Sequence, residues 1–142
     1  MTGSTMTRAG KRAMIIGTAA AAAAVGVLAV PAQASSWTSH ITSAGNDFES
    51  RRWTDNGGST TIKFTSCNRG GGLPKAVGVM LRKDTFGPDP KYTNANFTNC
   101  FNSGATSSAT WDGHGSGDYY FVIDYGSNVY APVTVQSVAV YY

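Results

Sequence analysis

The chain has 142 residues, 42% hydrophobic and 13% charged, with 3 Trp, 7 Tyr and 6 Phe. That is the length of one domain. A charged share about half the usual one, with Glu49 as the only glutamate, excludes a bundle of amphipathic helices, and this many aromatic rings exclude a disordered chain.

The formal charge of +3 misleads, because it comes from the first residues. Arg8, Lys11 and Arg12 precede an apolar, alanine-rich run from Met14 to Val30. Pro31 breaks that run, and Ala32-Gln33-Ala34 supplies the small residues a signal peptidase needs. Residues 1–34 therefore read as a cleaved signal peptide, and the protein as secreted and extracellular. The eight basic residues that remain balance the eight acidic ones, so the mature chain is neutral. This excludes nucleic acid as a partner, which would require excess basic charge. No later apolar run reaches the ~18 residues of a membrane span, so no membrane contact is expected after cleavage.

Residues 35–46 are polar and small, with Trp37 and Ile41 as isolated anchors. Such a segment buries too little apolar surface to offset about 1–2 kcal/mol of ordering cost per residue. It reads as an extended arm or a short edge strand, mobile or only loosely docked in the free protein, that orders on a partner, with Trp37 and Ile41 as candidate partner-binding residues. Residues 47–142 read as strands. Phe48 to Trp53 alternates, Asp55-Asn56-Gly57-Gly58 turns, and Ser59 to Ser66 places Ile62 and Phe64 on one face. Lys75 to Lys83 directs Val77, Val79 and Leu81 inward. Phe86-Gly87-Pro88-Asp89-Pro90 breaks the chain, because proline cannot donate a ladder bond. Tyr92 to Phe101 is a weaker strand, and Ser107 to Trp111 a short one. Asp118 to Tyr125 alternates most clearly, through Tyr119, Phe121, Ile123 and Tyr125. After a turn at Gly126-Ser127-Asn128, Val133 to Tyr142 closes the chain as a β-branched strand. Short strands at this spacing, with no helical period, predict an all-β, antiparallel β-sandwich of about six to eight strands, immunoglobulin-like in general architecture. A small closed barrel is the alternative.

The two cysteines, Cys67 and Cys100, fall in the exported part. An oxidising compartment pairs them in the one possible disulfide. No catalytic residue stands out. The two histidines of the chain are His40, in the polar arm, and His114, between glycines in a turn, and no nucleophile elbow or zinc-protease motif is present. The chain reads as a non-enzyme, with no cofactor and no metal. Asp112 and Asp118 flank a glycine-rich run that could reach calcium, but the spacing is not that of an EF-hand, and two turn-capping aspartates explain it. The loop from Arg69 to Lys75, with Leu73 between, follows Cys67 as a protease-inhibitor loop would, though its three glycines add entropy that binding must remove. Trp37, Trp53, Trp111 and the tyrosines offer a sugar platform, against which Trp53 and Trp111 read as core.

Phe48-Glu49-Ser50-Arg51-Arg52-Trp53-Thr54-Asp55-Asn56, followed by Thr60-Thr61-Ile62-Lys63-Phe64-Thr65-Ser66-Cys67, resembles small secreted actinobacterial β-proteins with one disulfide. Some proteins of this type are thought to be adaptor subunits of umbrella toxin particles. The resemblance implies an adaptor that links a large toxin chain to a lectin subunit, and it carries no contact residue onto this sequence. Together with the absent catalytic set and the zero charge, it gives the expected function. That function is a secreted, non-enzymatic binding or adaptor protein whose partners are other secreted proteins. A protease inhibitor and a carbohydrate-binding module are the alternatives.

Overall fold

The computed structural model describes residues 35–125 and 131–142. The export segment read over residues 1–34 and the turn read at Gly126-Ser127-Asn128 lie outside them. The strands are β1 (Ser36–Ala44), β2 (Trp53–Asn56), β3 (Thr60–Arg69), β4 (Val77–Asp84), β5 (Lys91–Phe97), β6 (Thr106–Trp111), β7 (Ser116–Ile123) and β8 (Val133–Tyr141). One 3-10 turn, Asn99–Phe101, lies between β5 and β6. The strands form two four-stranded sheets, β1-β8-β3-β6 and β2-β7-β4-β5. Every neighbouring pair is antiparallel. This is the β-sandwich that the alternation predicts.

The core residues expected from alternation, Ile62, Phe64, Val77, Val79, Leu81, Phe121 and Ile123, are all buried. Between the sheets runs a chain of aromatic rings. Phe97 meets Phe64 edge-on at 5.1 Å, Phe64 meets Phe121 at 5.6 Å, and Phe121 stacks on Trp37 at 6.3 Å. Trp37 then meets Trp53 at 5.8 Å, and Trp53 meets Tyr142 at 6.0 Å. Successive rings come from alternate sheets, so each contact fastens one sheet to the other. Pairs at these separations add about 0.5–1.5 kcal/mol each beyond the area they bury. Strand β7 is buried on both faces from Tyr119 to Ile123. The outer face of its Tyr120 is covered by Arg52, whose guanidinium lies 4.4 Å above the ring.

Of the two forms expected for the N-terminal segment, the structure has the edge strand and not the mobile arm. Residues Ser36–Ala44 form β1, an edge strand paired with β8 from Ser36↔Tyr141 to Ala44↔Val133. Residues Ser36–Ala44 are thus a strand of the sandwich. Ile41 and Ala44 are buried in the core and Trp37 is half-buried against it. The expectation weighed only the apolar surface the segment carries itself. Its order comes instead from a ladder of main-chain bonds to β8, with three inward side chains completing the core. The ladder is irregular, shifting register between Ser39 and Ile41 and again between Ile41 and Ala44. Residues 47–52 are also less regular than predicted. They run beside β7 through Asp47 N–H to Ile123 O, Ser50 N–H to Phe121 O and Ile123 N–H to Phe48 O.

Cys67 of β3 and Cys100 of the 3-10 turn form the disulfide, with Cα atoms 5.0 Å apart. The turn is also held by the Cys100 amide, which donates to Ser107 Oγ of β6 at 2.9 Å. Closing a loop across 33 residues contributes about 3–4 kcal/mol on the chain-entropy account. At about 4–8 °C per kcal/mol for a domain of this size, reduction should lower the melting temperature by well over ten degrees. Calorimetry with and without reductant checks this. A second expectation concerns Gly78, where a Cβ would collide with the main-chain oxygen of Asp124. Gly78→Ala should cost about 3 kcal/mol or more, because the obstacle is backbone and cannot turn aside. Urea unfolding of the variant measures it.

Candidate functional site

The register sorts the loops to two ends of the sandwich. Asn56↔Ser116, Thr60↔Trp111 and Asp84↔Asp118 bring the β2–β3 turn, the β6–β7 turn and the β4–β5 loop to one end. Strand β3 runs from that end to the other, where Arg69 pairs with Val133 beside the disulfide and the β3–β4 loop.

The β4–β5 loop carries the most exposed large apolar side chain among the described residues, Phe86. The loop around it is fixed. The Thr85 amide donates to Asp89 Oδ1 at 2.9 Å, the Tyr120 hydroxyl donates to Asp89 Oδ2 at 2.6 Å, and the Lys83 amide donates to Pro90 O at 3.1 Å. The Tyr120 hydroxyl, and after it the Thr85 amide, hold the Asp89 carboxyl below its ordinary value. Burial, with the carboxylate as a second cause, pushes the Tyr120 phenol up. Both bonds favour the charged, accepting form of Asp89. Pro88 and Pro90 remove further backbone freedom. At the base, Arg52 pairs with Asp84, the last residue of β4, and with Glu49 at 3.2 Å. Phe86 is thus a ring held out in water by a loop that has already lost its freedom. Sequence reasoning passed over it as a chain break. The available signal was an aromatic residue set among prolines and a glycine, outside any alternating run.

Beneath the same end lies a buried polar cluster. The Thr60 hydroxyl donates to Asp55 Oδ2 at 2.9 Å, and Asp55 Oδ1 accepts the Gly57 amide at 2.8 Å. His114 Nδ1 lies 3.1 Å from the Gly115 carbonyl, and Nε2 lies 3.0 Å from Thr60 Oγ1 and 3.6 Å from Asp55 Oδ2. The Tyr119 hydroxyl donates to the carbonyls of His114 and Gly115 at 2.6 and 2.8 Å, and burial pushes its phenol well up. A hydroxyl, an imidazole and a carboxylate suggest a hydrolytic triad. In a triad, however, the carboxylate orients the imidazole from the nitrogen opposite the nucleophile. Here Asp55 and Thr60 share Nε2, and Thr60 is fully buried. The cluster ties the β2–β3 turn to the β6–β7 turn.

At the opposite end, Arg69 serves its own loop. Its Nε donates to Ala131 O at 3.1 Å and its Nη1 to Pro74 O and Ala76 O at 3.2 and 3.0 Å, while the guanidinium lies 3.9 Å over the Tyr125 ring. Leu73 is half-buried and Lys75 is exposed. The arginine expected to be offered to a protease pocket is an internal brace. Trp53 and Trp111 are buried, as the core reading expected, and Trp37 packs against the same core, so the three indoles form no flat platform.

The two sheets part between the edge strands β5 and β6. The small side chains of Ala95 and Ala109 leave a cleft of about 400 Å³ there. Tyr92, Thr93, Asn94, Trp111 and Asp112 line it. The Trp111 indole is pinned by donating to Thr93 O at 2.7 Å. Asp112 is exposed at the rim, while Asp118 accepts the Thr54 hydroxyl at 2.6 Å. Among the described residues no three His, Cys, Asp or Glu side chains gather as metal ligands would.

No protein family matches the chain, and no curated protein or solved structure does so. The Asp89 brace makes a direct test of the loop's rigidity. Asp89→Asn should leave the fold intact and raise hydrogen exchange at the Thr85 amide by about an order of magnitude, since a charge-assisted acceptor is replaced by a neutral one. Native-state exchange followed by NMR checks this.

Proposed function

We propose that the protein is a secreted, non-enzymatic binding protein that works as an adaptor through protein–protein contacts. The observation that carries this reading is Phe86, fully exposed on a loop whose backbone is already fixed. A buried phenylalanine gains about 1.5–3 kcal/mol over an exposed one. A partner with an apolar pocket collects that gain without ordering the loop, which is the cost that usually erodes it. Interface energy concentrates in a few such anchors.

An adaptor needs two contact regions, and the two ends of the sandwich supply them. The Phe86 loop stands at one end, and the glycine-rich β3–β4 loop with exposed Lys75 at the other. The resemblance to umbrella-particle adaptors extends the proposal to a lectin subunit and a large toxin chain as the two partners. The protease-inhibitor reading of the Arg69–Lys75 loop draws no support from an arginine held by three carbonyls. The carbohydrate reading is favoured by the β5–β6 cleft, whose volume falls in the roughly 300–1,000 Å³ range of small-molecule sites. Its lining of tyrosine, tryptophan, threonine and amide groups suits a neutral sugar.

The exported protein, immobilised as bait in the culture fluid of its producer, should retain one or more secreted chains. Phe86→Ala should weaken that retention about tenfold or more. The melting temperature should move by less than about 4 °C, because the ring is exposed. Retention of the same chains at the same strength by Phe86→Ala overturns the reading. For the cleft, neutral oligosaccharides should shift the Trp111 indole signal in NMR spectra, and an unmoved Trp111 removes the sugar reading.

A further inference from the structure

We propose that the crevice between edge strand β1 and residues 48–51 is a second binding site, which takes a peptide segment presenting an apolar side chain next to a carboxylate. The site does not involve the Phe86 loop and is independent of that proposal.

The crevice is about 100 Å³ and lies at the opening of the sandwich opposite the β5–β6 cleft. Trp37 and Ile41 of β1, Phe121 of β7 and Val138 of β8 give it an apolar interior, and Phe48 and Arg51 stand at its margin. For scale, an engineered apolar cavity of about 150 Å³ holds a benzene ring. The space here suits one aliphatic side chain of leucine size or smaller. Phe48 is among the few large apolar residues left exposed, so an occupant would also cover ring surface now facing water.

Two neighbouring arginines show what else the occupant carries. Arg52 is consumed within the protein, paired with both Glu49 and Asp84. Arg51 forms no ion pair with any carboxylate among the described residues, and its guanidinium is set 5.4 Å over the Trp37 ring. That distance is within cation–π range. The contact sets the guanidinium at the mouth of the apolar crevice, with its N–H donors available to a carboxylate. His40, the other polar side chain with a titratable ring on this margin, is exposed and adds no negative charge. A carboxylate beside an apolar side chain complements both halves of the site.

A peptide is favoured because the crevice is walled by an edge strand. Among the described residues the outer side of β1 has no strand partner in its sheet. Its register shifts around Ile41 leave an irregular edge above the crevice. Main-chain groups of an incoming segment meet unpaired main-chain groups there while its side chain enters the crevice.

The test uses the isotope-labelled exported protein and two isosteric probes, acetyl-Leu-Asp-amide and acetyl-Leu-Asn-amide. The aspartyl probe should shift the Trp37 indole and the amides of Ile41, Phe48 and Arg51 saturably. It should bind about three- to fivefold more tightly than the asparaginyl probe, the size of an exposed ion pair. Arg51→Gln should erase that preference. Arg52→Gln, which removes the internally paired arginine, and Phe86→Ala should both preserve it. No saturable shift at Trp37 up to about 10 mM, a floor for recognising one small group, overturns the proposal. So does equal binding of the two probes. If 4-methylvalerate binds as tightly as acetyl-Leu-Asp-amide, the crevice takes small acids and the peptide assignment is overturned.

Discussion

The sandwich depends on one constraint, which is that six aromatic rings must pack against one another from alternate sheets. Phe97, Phe64, Phe121, Trp37, Trp53 and Tyr142 form a continuous series with centroid separations of 5.1 to 6.3 Å. No two consecutive members belong to the same sheet. A ring moved by a register slip would leave its neighbours on the opposite sheet facing a void, and voids in close-packed interiors are costly. The series therefore fixes the sheets against each other as well as the strands within them. It also recruits the ends of the chain. Trp37 is near the start of β1 and Tyr142 follows β8, and the Tyr142 amide donates to Ser35 O at 2.8 Å. The Tyr142 ring thereby packs against the core, and its amide ties the last described residue to exposed Ser35, the first.

The same constraint explains which parts of the fold were legible in the sequence. Strands β3, β4, β7 and β8 lie inside their sheets, and runs such as Ile62 and Phe64 or Val77, Val79 and Leu81 reveal themselves by alternation. These needed no other information. The edge strand β1 carries its apolar residues at 37, 41 and 44, a spacing distorted by two register shifts. Alternation could not find it. Its order is non-local, supplied by β8 nearly a hundred residues away, and no local energy count contains that term. The His114 cluster was hidden for a similar reason. A histidine between glycines reads as solvent-facing turn, and only the fold brings Asp55 and Thr60 beneath it.

Side chains that seemed free in the sequence divide in the structure into those the protein uses and those it leaves over. Arg69 is used, by three carbonyls and a tyrosine ring. Arg52 is used, by two carboxylates and the ring of Tyr120. Asp89 is used, as the acceptor that fixes the β4–β5 loop. Each is engaged within the protein, although the buried Arg69 Nη2 has no hydrogen-bond partner among the described residues. Among the described residues the Phe86 ring is fully exposed, and Arg51 has the face of Trp37 and no carboxylate. Among the described residues Arg52 is held by two carboxylates, while its neighbour Arg51 is held by none and stands at the mouth of an apolar crevice.

The two leftovers differ in what they ask of a partner. Phe86 is convex, an apolar ring on a rigid support, and a partner must supply the pocket. The crevice by Trp37 is concave, and a partner must supply the side chain. One therefore inserts and the other receives. They stand on different parts of the sandwich, Phe86 on the loop beyond Asp84 at one end and the crevice along the β1 edge. The body joining them is stiffened by the ring series and the disulfide, so ordering it on binding costs little. Under the two proposals, a rigid body with one projecting anchor and one receiving crevice engages partners of opposite shape at two separate places.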